Sequence, residues 1–219
     1  MPFKASGTPT EFEVIDRWDG GVGWVAHPEE TMRRASHALA TDEGVWLLDP
    51  LDAPGLDELL AEYGEVAGVV VTVDRHGRDA ATLANRHDVA VHVPTSVPYA
   101  PDAPVEYVHS TVGDTDYRLV ETVSVPGWRE VALFDGETLV VGDAMGTAGH
   151  FVAATETLGV HPFLRLSPPR GLRSLAPERI LVGHGEGVMA DATATLESAL
   201  DGARRNFPRA MLGALRALL

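Results

Sequence analysis

The chain has 219 residues, is 45% hydrophobic and carries a formal net charge of −15, with Lys4 as its single lysine and no cysteine. That length suits one sizeable core, so one domain spanning 1–219 is expected. The acidic excess argues against a nucleic-acid phosphate backbone as partner, and the lack of cysteine excludes disulfides, thiolate nucleophiles and cysteine-type zinc sites.

No apolar run reaches the length of a membrane span, and Met1–Thr10 lacks the basic and apolar regions of a signal peptide. A soluble cytoplasmic protein with no membrane partner is therefore expected. The acidity suits either a solvated surface or adaptation to high salt, where charge repulsion is screened within a few ångströms, and a halophilic source is the preferred expectation.

Glu11–Trp18 alternates as an edge strand, Asp19–Gly23 is a turn signal, and Trp24-Val25-Ala26 begins a second strand. Arg33–Thr41 and Val45–Asp49 form a hairpin around Asp42-Glu43-Gly44. Leu51–Tyr63 reads as a helix with Pro54 near its start and Gly64 as its stop. A β-branched run, Val69-Val70-Val71-Thr72-Val73, then ends in Asp74-Arg75-His76-Gly77-Arg78-Asp79, before a helix-like segment to His87. Such strand-to-helix loops are where α/β proteins place their chemistry.

Val89–Pro94 is a further strand, and Thr95–Pro104 is a loop on its content of Pro98, Pro101 and Pro104. Strands follow at Val105–His109, Tyr117–Val125, Glu130–Phe134 and Thr138–Val141, with Asp135-Gly136 as a hairpin turn. Ala144–Phe163 is a connection without a clear pattern, Ser167–Gly171 a break, Leu172–Leu175 a helical turn and Ile180-Leu181-Val182 a buried strand. Asp191–Arg205 and Arg209–Leu219 read as two terminal helices. Two more strands end in ligand-type residues: Leu139-Val140-Val141-Gly142-Asp143 and Ile180-Leu181-Val182-Gly183-His184-Gly185-Glu186.

The order of these motifs resembles the metallo-β-lactamase fold superfamily, in particular its glyoxalase II- and lactonase-like small hydrolases, over nearly the whole chain. The matching segments are Leu47-Leu48-Asp49-Pro50, the loop Asp74–Asp79, Gly142-Asp143 and Gly183-His184-Gly185. The resemblance implies an α/β four-layer αββα sandwich and a centre where metals activate water and polarise a carbonyl or phosphoryl oxygen. It places His76, Asp143 and His184 on ligand positions, Asp143 being the bridging carboxylate. Two segments depart. Where the family has His-x-His-x-Asp-His, this chain has Asp74-x-His76-x-Arg78-Asp79, and Trp128 follows Pro126-Gly127 where the family has histidine.

Asp74 and Asp79 are able to bind metal but favour harder ions than histidine does. Arg78 would repel a divalent cation, or would stand in for one by pairing with Asp143 or Asp79; on that view Arg78→Asp would create metal affinity. Asp79 also suits the N-cap of the helix, and Asp49 either a turn or a residue orienting a ligand. His184 stands between glycines that permit close backbone approach. His27, His37, His92, His109, His150 and His161 fit no motif position, though His150 follows Asp143 closely.

Two functions stay open. One is a hydrolase of small esters, thioesters or lactones using a single divalent metal (zinc, iron or manganese) held by His76, Asp143, His184 and either Asp74 or Asp79. The other is a metal-free, inactive member of the fold that binds a small ligand in a cleft lined by Arg75, Arg78 and Trp128, or serves as a scaffold. Neither a Gly-x-Ser-x-Gly elbow nor a nucleotide-binding glycine motif is present.

Overall fold

The computed structural model describes residues 2–153 and 155–217. The first half forms β1 (Glu13–Trp18), β2 (Gly21–Val25), β3 (Ala35–Thr41), β4 (Gly44–Leu48), α1 (Leu56–Ala61), β5 (Val66–Val70), α2 (Ala80–His87), β6 (Val91–Pro94) and β7 (Val105–Val108). These seven strands make one sheet in strict sequence order. The first four pair antiparallel through short turns, whereas β4 to β7 pair in parallel. Parallel neighbours need a crossover, and α1 and α2 supply the first two.

The second half adds β8 (Arg118–Val125), β9 (Trp128–Phe134), β10 (Thr138–Val141), β11 (Met145–Gly146), β12 (Gly159–Val160), β13 (Arg179–Val182) and α3 (Ala192–Ala217). Four of these strands form a second sheet in the order β13-β10-β9-β8, and β11 and β12 form a small hairpin pair.

Side-chain alternation assigns each sheet its two faces. Leu47, Val69 and Val71 pack with Leu56, Leu60 and Leu83 of the helices. Trp46, Leu48 and Val70 point the other way and meet Leu133, Val140 and Leu181 of the second sheet. Leu139, Val141, Ile180 and Val182 then pack under Leu196, Leu200 and Ala203 of α3. Every layer is apolar on the side that meets its neighbour, which yields helix, sheet, sheet and helix.

Three elements differ from their sequence-based expectation. Strand β2 starts at Gly21, inside the stretch expected to turn. A Cβ on Gly21 would sit 2.1 Å from the Ala38 carbonyl and one on Gly23 would sit 2.8 Å from His37 Nδ1, so these glycines mark close strand approach. The terminal segment forms one helix that continues through Pro208, beside exposed Arg204 and Arg205 where water can satisfy the carbonyl that proline leaves unbonded. The expected second helix extended to Leu218 and Leu219, which lie outside the described residues. Ala144–Phe163 contains the β11–β12 pair and a 3-10 turn at Pro162–Leu164.

The N-terminal segment is strapped across one end of the sandwich. Thr31 N–H donates to the Pro2 carbonyl and Met32 N–H to the Phe3 carbonyl, at 2.9 and 2.8 Å. A buried Glu30–Arg34 ion pair secures it, with Ala5 N–H donating to Glu30 and Arg34 donating to the Ala5 carbonyl.

Candidate metal centre

Four strands lead into polar residues at the same seam between the sheets. Asp49 follows β4, His76 follows β5, Asp143 follows β10 and His184 follows β13. The two sheets are stitched together there. Val73 bridges Glu130, Arg34 bridges His184, and Ala35 N–H donates to the Gly183 carbonyl at 2.9 Å. One ligand atom from each of His76, Asp143 and His184 lies within 4.8 Å of the others, and all three residues are buried.

Asp143 is the hub. Its Oδ1 lies 2.9 Å from His76 Nε2 and 2.8 Å from His184 Nε2. Its Oδ2 accepts from Arg75 Nε at 2.7 Å and pairs with Arg75 NH2 at 2.5 Å. Burial pushes this carboxyl up, but the His76 charge and the bonds from both imidazoles prevail and hold it well below the ordinary carboxylate range.

The far nitrogen of each imidazole is also fixed. His184 Nδ1 lies 2.9 Å from the Met32 carbonyl, which only accepts, so Nδ1 carries the proton. His76 Nδ1 lies 3.0 Å from Asp49 Oδ2. Asp49 in turn accepts from Thr72 N–H at 2.7 Å and the Thr72 hydroxyl at 2.6 Å. Burial raises the Asp49 carboxyl, yet His76 outweighs it and the group stays below its ordinary value, ionised and accepting. His76 itself is pushed down by burial and by Arg78, and raised overall by Asp143 and Asp49.

No family model and no curated protein matches the sequence. Solved structures do. A putative diflavin flavoprotein fragment from Nostoc sp. superposes with a TM-score of 0.63 at 12% identity, over 91% of this chain and 99% of that one. The mono-zinc form of the metallo-β-lactamase FIM-1 from Pseudomonas aeruginosa gives 0.54 at 10% identity, over 92% and 98%. TTHA1623 in a di-iron-bound form gives 0.54 at 18% identity, over 77% and 94%. The chain has the metallo-β-lactamase fold. At these identities the likeness establishes the architecture, and activity must be argued from the site itself.

Within this metallo-β-lactamase fold, the residues at the departing motif positions have other partners. Asp74 Oδ2 accepts from Arg129 N–H at 2.9 Å. Asp79 holds the N-cap position of α2 without a capping bond, and its Oδ2 accepts from Asp52 N–H at 2.9 Å. Neither stands within the His76/Asp143/His184 group. Arg78 does not pair with Asp143 or Asp79. Its NH1 donates to the Ala35 and Asp49 carbonyls at 2.5 and 2.8 Å, and its NH2 reaches the Gly183 carbonyl at 3.4 Å. Arg75 takes the place beside Asp143 that Arg78 was expected to fill, with its guanidinium carbon 4.3 Å from the centre of the Trp128 ring.

Sequence inspection missed Glu130. This fully buried carboxyl accepts from the Trp128 indole at 3.1 Å and from Asp143 and Ala144 N–H at 3.1 and 3.0 Å. Burial, aided by the Asp143 charge, pushes it up to about 7. The available signal was a lone acid at the start of the otherwise apolar Glu130–Phe134 strand. His150 and His161 also belong to the surroundings of the site: His150 lies edge-on to His184 with centroids 5.6 Å apart, and His161 stands against Trp128 at 4.8 Å.

Burial, with the nearby His184 charge, lowers His150 to about 4. An unfolded chain protonates this residue from about pH 6.5 downward, whereas the folded protein resists until about pH 4, so stability falls as pH drops across that window. At about 1.4 kcal/mol per unit the loss from His150 amounts to about 3 kcal/mol. Urea unfolding of metal-free protein between pH 7 and 4 is expected to show a shallower acid loss in His150→Phe than in wild type. Parallel curves would refute the assignment.

Proposed function

We propose that this protein is a single-metal hydrolase, with His76, Asp143 and His184 holding the ion. The observation that carries this reading is the direction of the two imidazoles. Both have Nδ1 committed as a donor, to Asp49 and to the Met32 carbonyl, so a neutral ring has its lone pair on Nε2. Both Nε2 atoms converge on Asp143 Oδ1. Two lone pairs facing an ionised carboxylate repel each other unless each nitrogen is protonated or a cation lies among them. A divalent ion supplies the same charge as those two protons. A histidine whose other N–H is fixed by a carboxylate or carbonyl is also the usual arrangement of a metal ligand.

The donor set fits one ion and not two. At the position of the third imidazole the Trp128 indole donates to Glu130, and at the next Arg78 donates to three carbonyls. When bound, the metal supplies a Lewis acid and lowers the pKa of a coordinated water. The chain's own residues do the rest. Asp49 and Met32 orient the imidazoles, and Phe151 stacks on His184 with centroids 5.5 Å apart and shields it from water. Arg75, with 42% of its side chain exposed, fixes the outer oxygen of Asp143 and presents positive charge to an incoming carbonyl or carboxylate. A small ester, thioester or lactone is the substrate class, taken from the fold resemblance.

Elemental analysis of protein purified in high salt, without chelator or histidine-rich tag, tests this. One equivalent of zinc, iron or manganese in wild type, absent from His184→Ala, is expected. Wild type that takes up no metal from zinc or manganese solution would overturn it and favour the metal-free ligand-binding protein, for which the Arg75–Asp143 pair is already a closed, charge-balanced unit.

A further inference from the structure

We propose that His150 moves onto the metal as its fourth protein ligand, replacing the imidazole lost at Trp128; this rests on the single-metal reading above. His76, Asp143 and His184 supply three donors, and zinc-like ions accept four or five, so one further protein donor still leaves room for the coordinated water. A further protein donor would be an imidazole or carboxylate close to His184 with an uncommitted atom. His150 is 9% exposed, and its Nδ1 is buried with no hydrogen-bond partner among the described residues. Buried polar atoms in folded proteins are nearly always paired, so an orphan beside a metal group calls for a missing partner.

The other nearby candidates are committed elsewhere. His161 Nδ1 accepts the Phe163 N–H at 3.3 Å, which puts the proton of the neutral ring on Nε2 and leaves no lone pair there. His37 uses Nε2 toward the Val182 carbonyl at 2.9 Å, and its Nδ1, likewise without a hydrogen bond among the described residues, faces Gly23 on the β2 side. Glu130 is engaged by backbone N–H groups, and Asp74 accepts from Arg129 N–H through Oδ2 while its Oδ1, without a hydrogen bond among the described residues, faces the Arg75 guanidinium at 3.8 Å. His150 has neither constraint.

Its placement suits the role. The His150 and His184 centroids are 5.6 Å apart, no farther than the 5.8 Å between His76 and His184. Phe3 at 5.5 Å and Phe151 at 4.7 Å flank the ring and limit its swing. His150 stands just outside the group whose donor atoms lie within 4.8 Å of one another, so ligation requires the ring to swing inward.

Cobalt(II) titration of metal-free protein provides the test, because its visible absorption reports the number and type of ligands. Wild type is expected to take up one equivalent. His150→Ala should raise the cobalt dissociation constant at least about tenfold and alter the spectrum, and added imidazole should restore both. His150→Gln, closer in bulk, gives the same comparison if the alanine variant does not melt cooperatively. Wild-type affinity and spectrum in the His150 variants, with cobalt uptake abolished in His184→Ala, would sink this proposal and leave the single-metal reading intact. A wild type that binds no cobalt would sink both.

Discussion

Replacing Arg78 by alanine is expected to destabilise the fold by about 3 kcal/mol, near the loss caused by breaking a buried charged group's hydrogen bonds. Arg78 draws together carbonyls from three segments that are distant in sequence: Ala35 on β3, Asp49 after β4 and Gly183 after β13. Removing it leaves these oxygens without a donor at the seam between the sheets. At 2–4 °C per kcal/mol for a chain of this size, the melting temperature should fall by about 8 °C. Arg78→Lys should recover part of the loss, since an ammonium reaches fewer carbonyls than a fork of planar donors. A drop of less than about 2 °C for Arg78→Ala would show that the cross-link contributes little. Arg78→Asp, which the motif alone suggests as a way to gain a metal ligand, would instead set a carboxylate against carbonyl oxygens, and a folding defect is the expected outcome.

Asp49→Asn is expected to weaken metal binding by about 10- to 100-fold while leaving the fold intact, the usual cost of losing a partner behind a metal ligand. Asp49 accepts from Thr72 through both oxygens and from His76 through Oδ2. With the amide oxygen kept on Thr72 N–H, the new NH2 faces His76 Nδ1 and forces it to accept. The ring proton then moves to Nε2, toward Asp143, and the lone pair for the ion is lost. Competition titration with a chromophoric zinc chelator measures the effect, and a cooperative thermal transition confirms that folding survives. Zinc affinity within twofold of wild type would show that Asp49 does not set the tautomer.

Much of the architecture is legible in the sequence because it follows from alternation. Val69-Val70-Val71 reads as a buried strand, and its middle residue does face the opposite layer from its neighbours. The polar residues His76, Asp143 and His184 are legible as well, since each follows an apolar run and so lies beyond a strand's end. The roles of Arg75 and Arg78 are not. The two are three positions apart, and a left-handed backbone at Arg78, with φ of 38°, decides which one meets Asp143. Its acceptors also lie 29, 43 and 105 residues away, beyond the reach of any local pattern. Glu130 is hidden for a related reason: its partners at Asp143 and Ala144 become visible only once β9 and β10 are paired. Pro208 predicts a helix break by local chemistry alone, yet α3 continues through it and buries Ala210 on the far side.

The strictly sequential order of the first sheet has a consequence for biosynthesis. Strands β1 to β7 lie within residues 13–108 and each pairs with the next, so this half can assemble while the remainder is still being translated. Asp49 and His76 are then in place, with Met32 held by the Phe3 strap. Their partners Asp143 and His184 come from the later half, and His184 is among the last residues before α3. The centre therefore closes only after β13 has been made, when that strand docks beside β10 and brings His184 to the Met32 carbonyl.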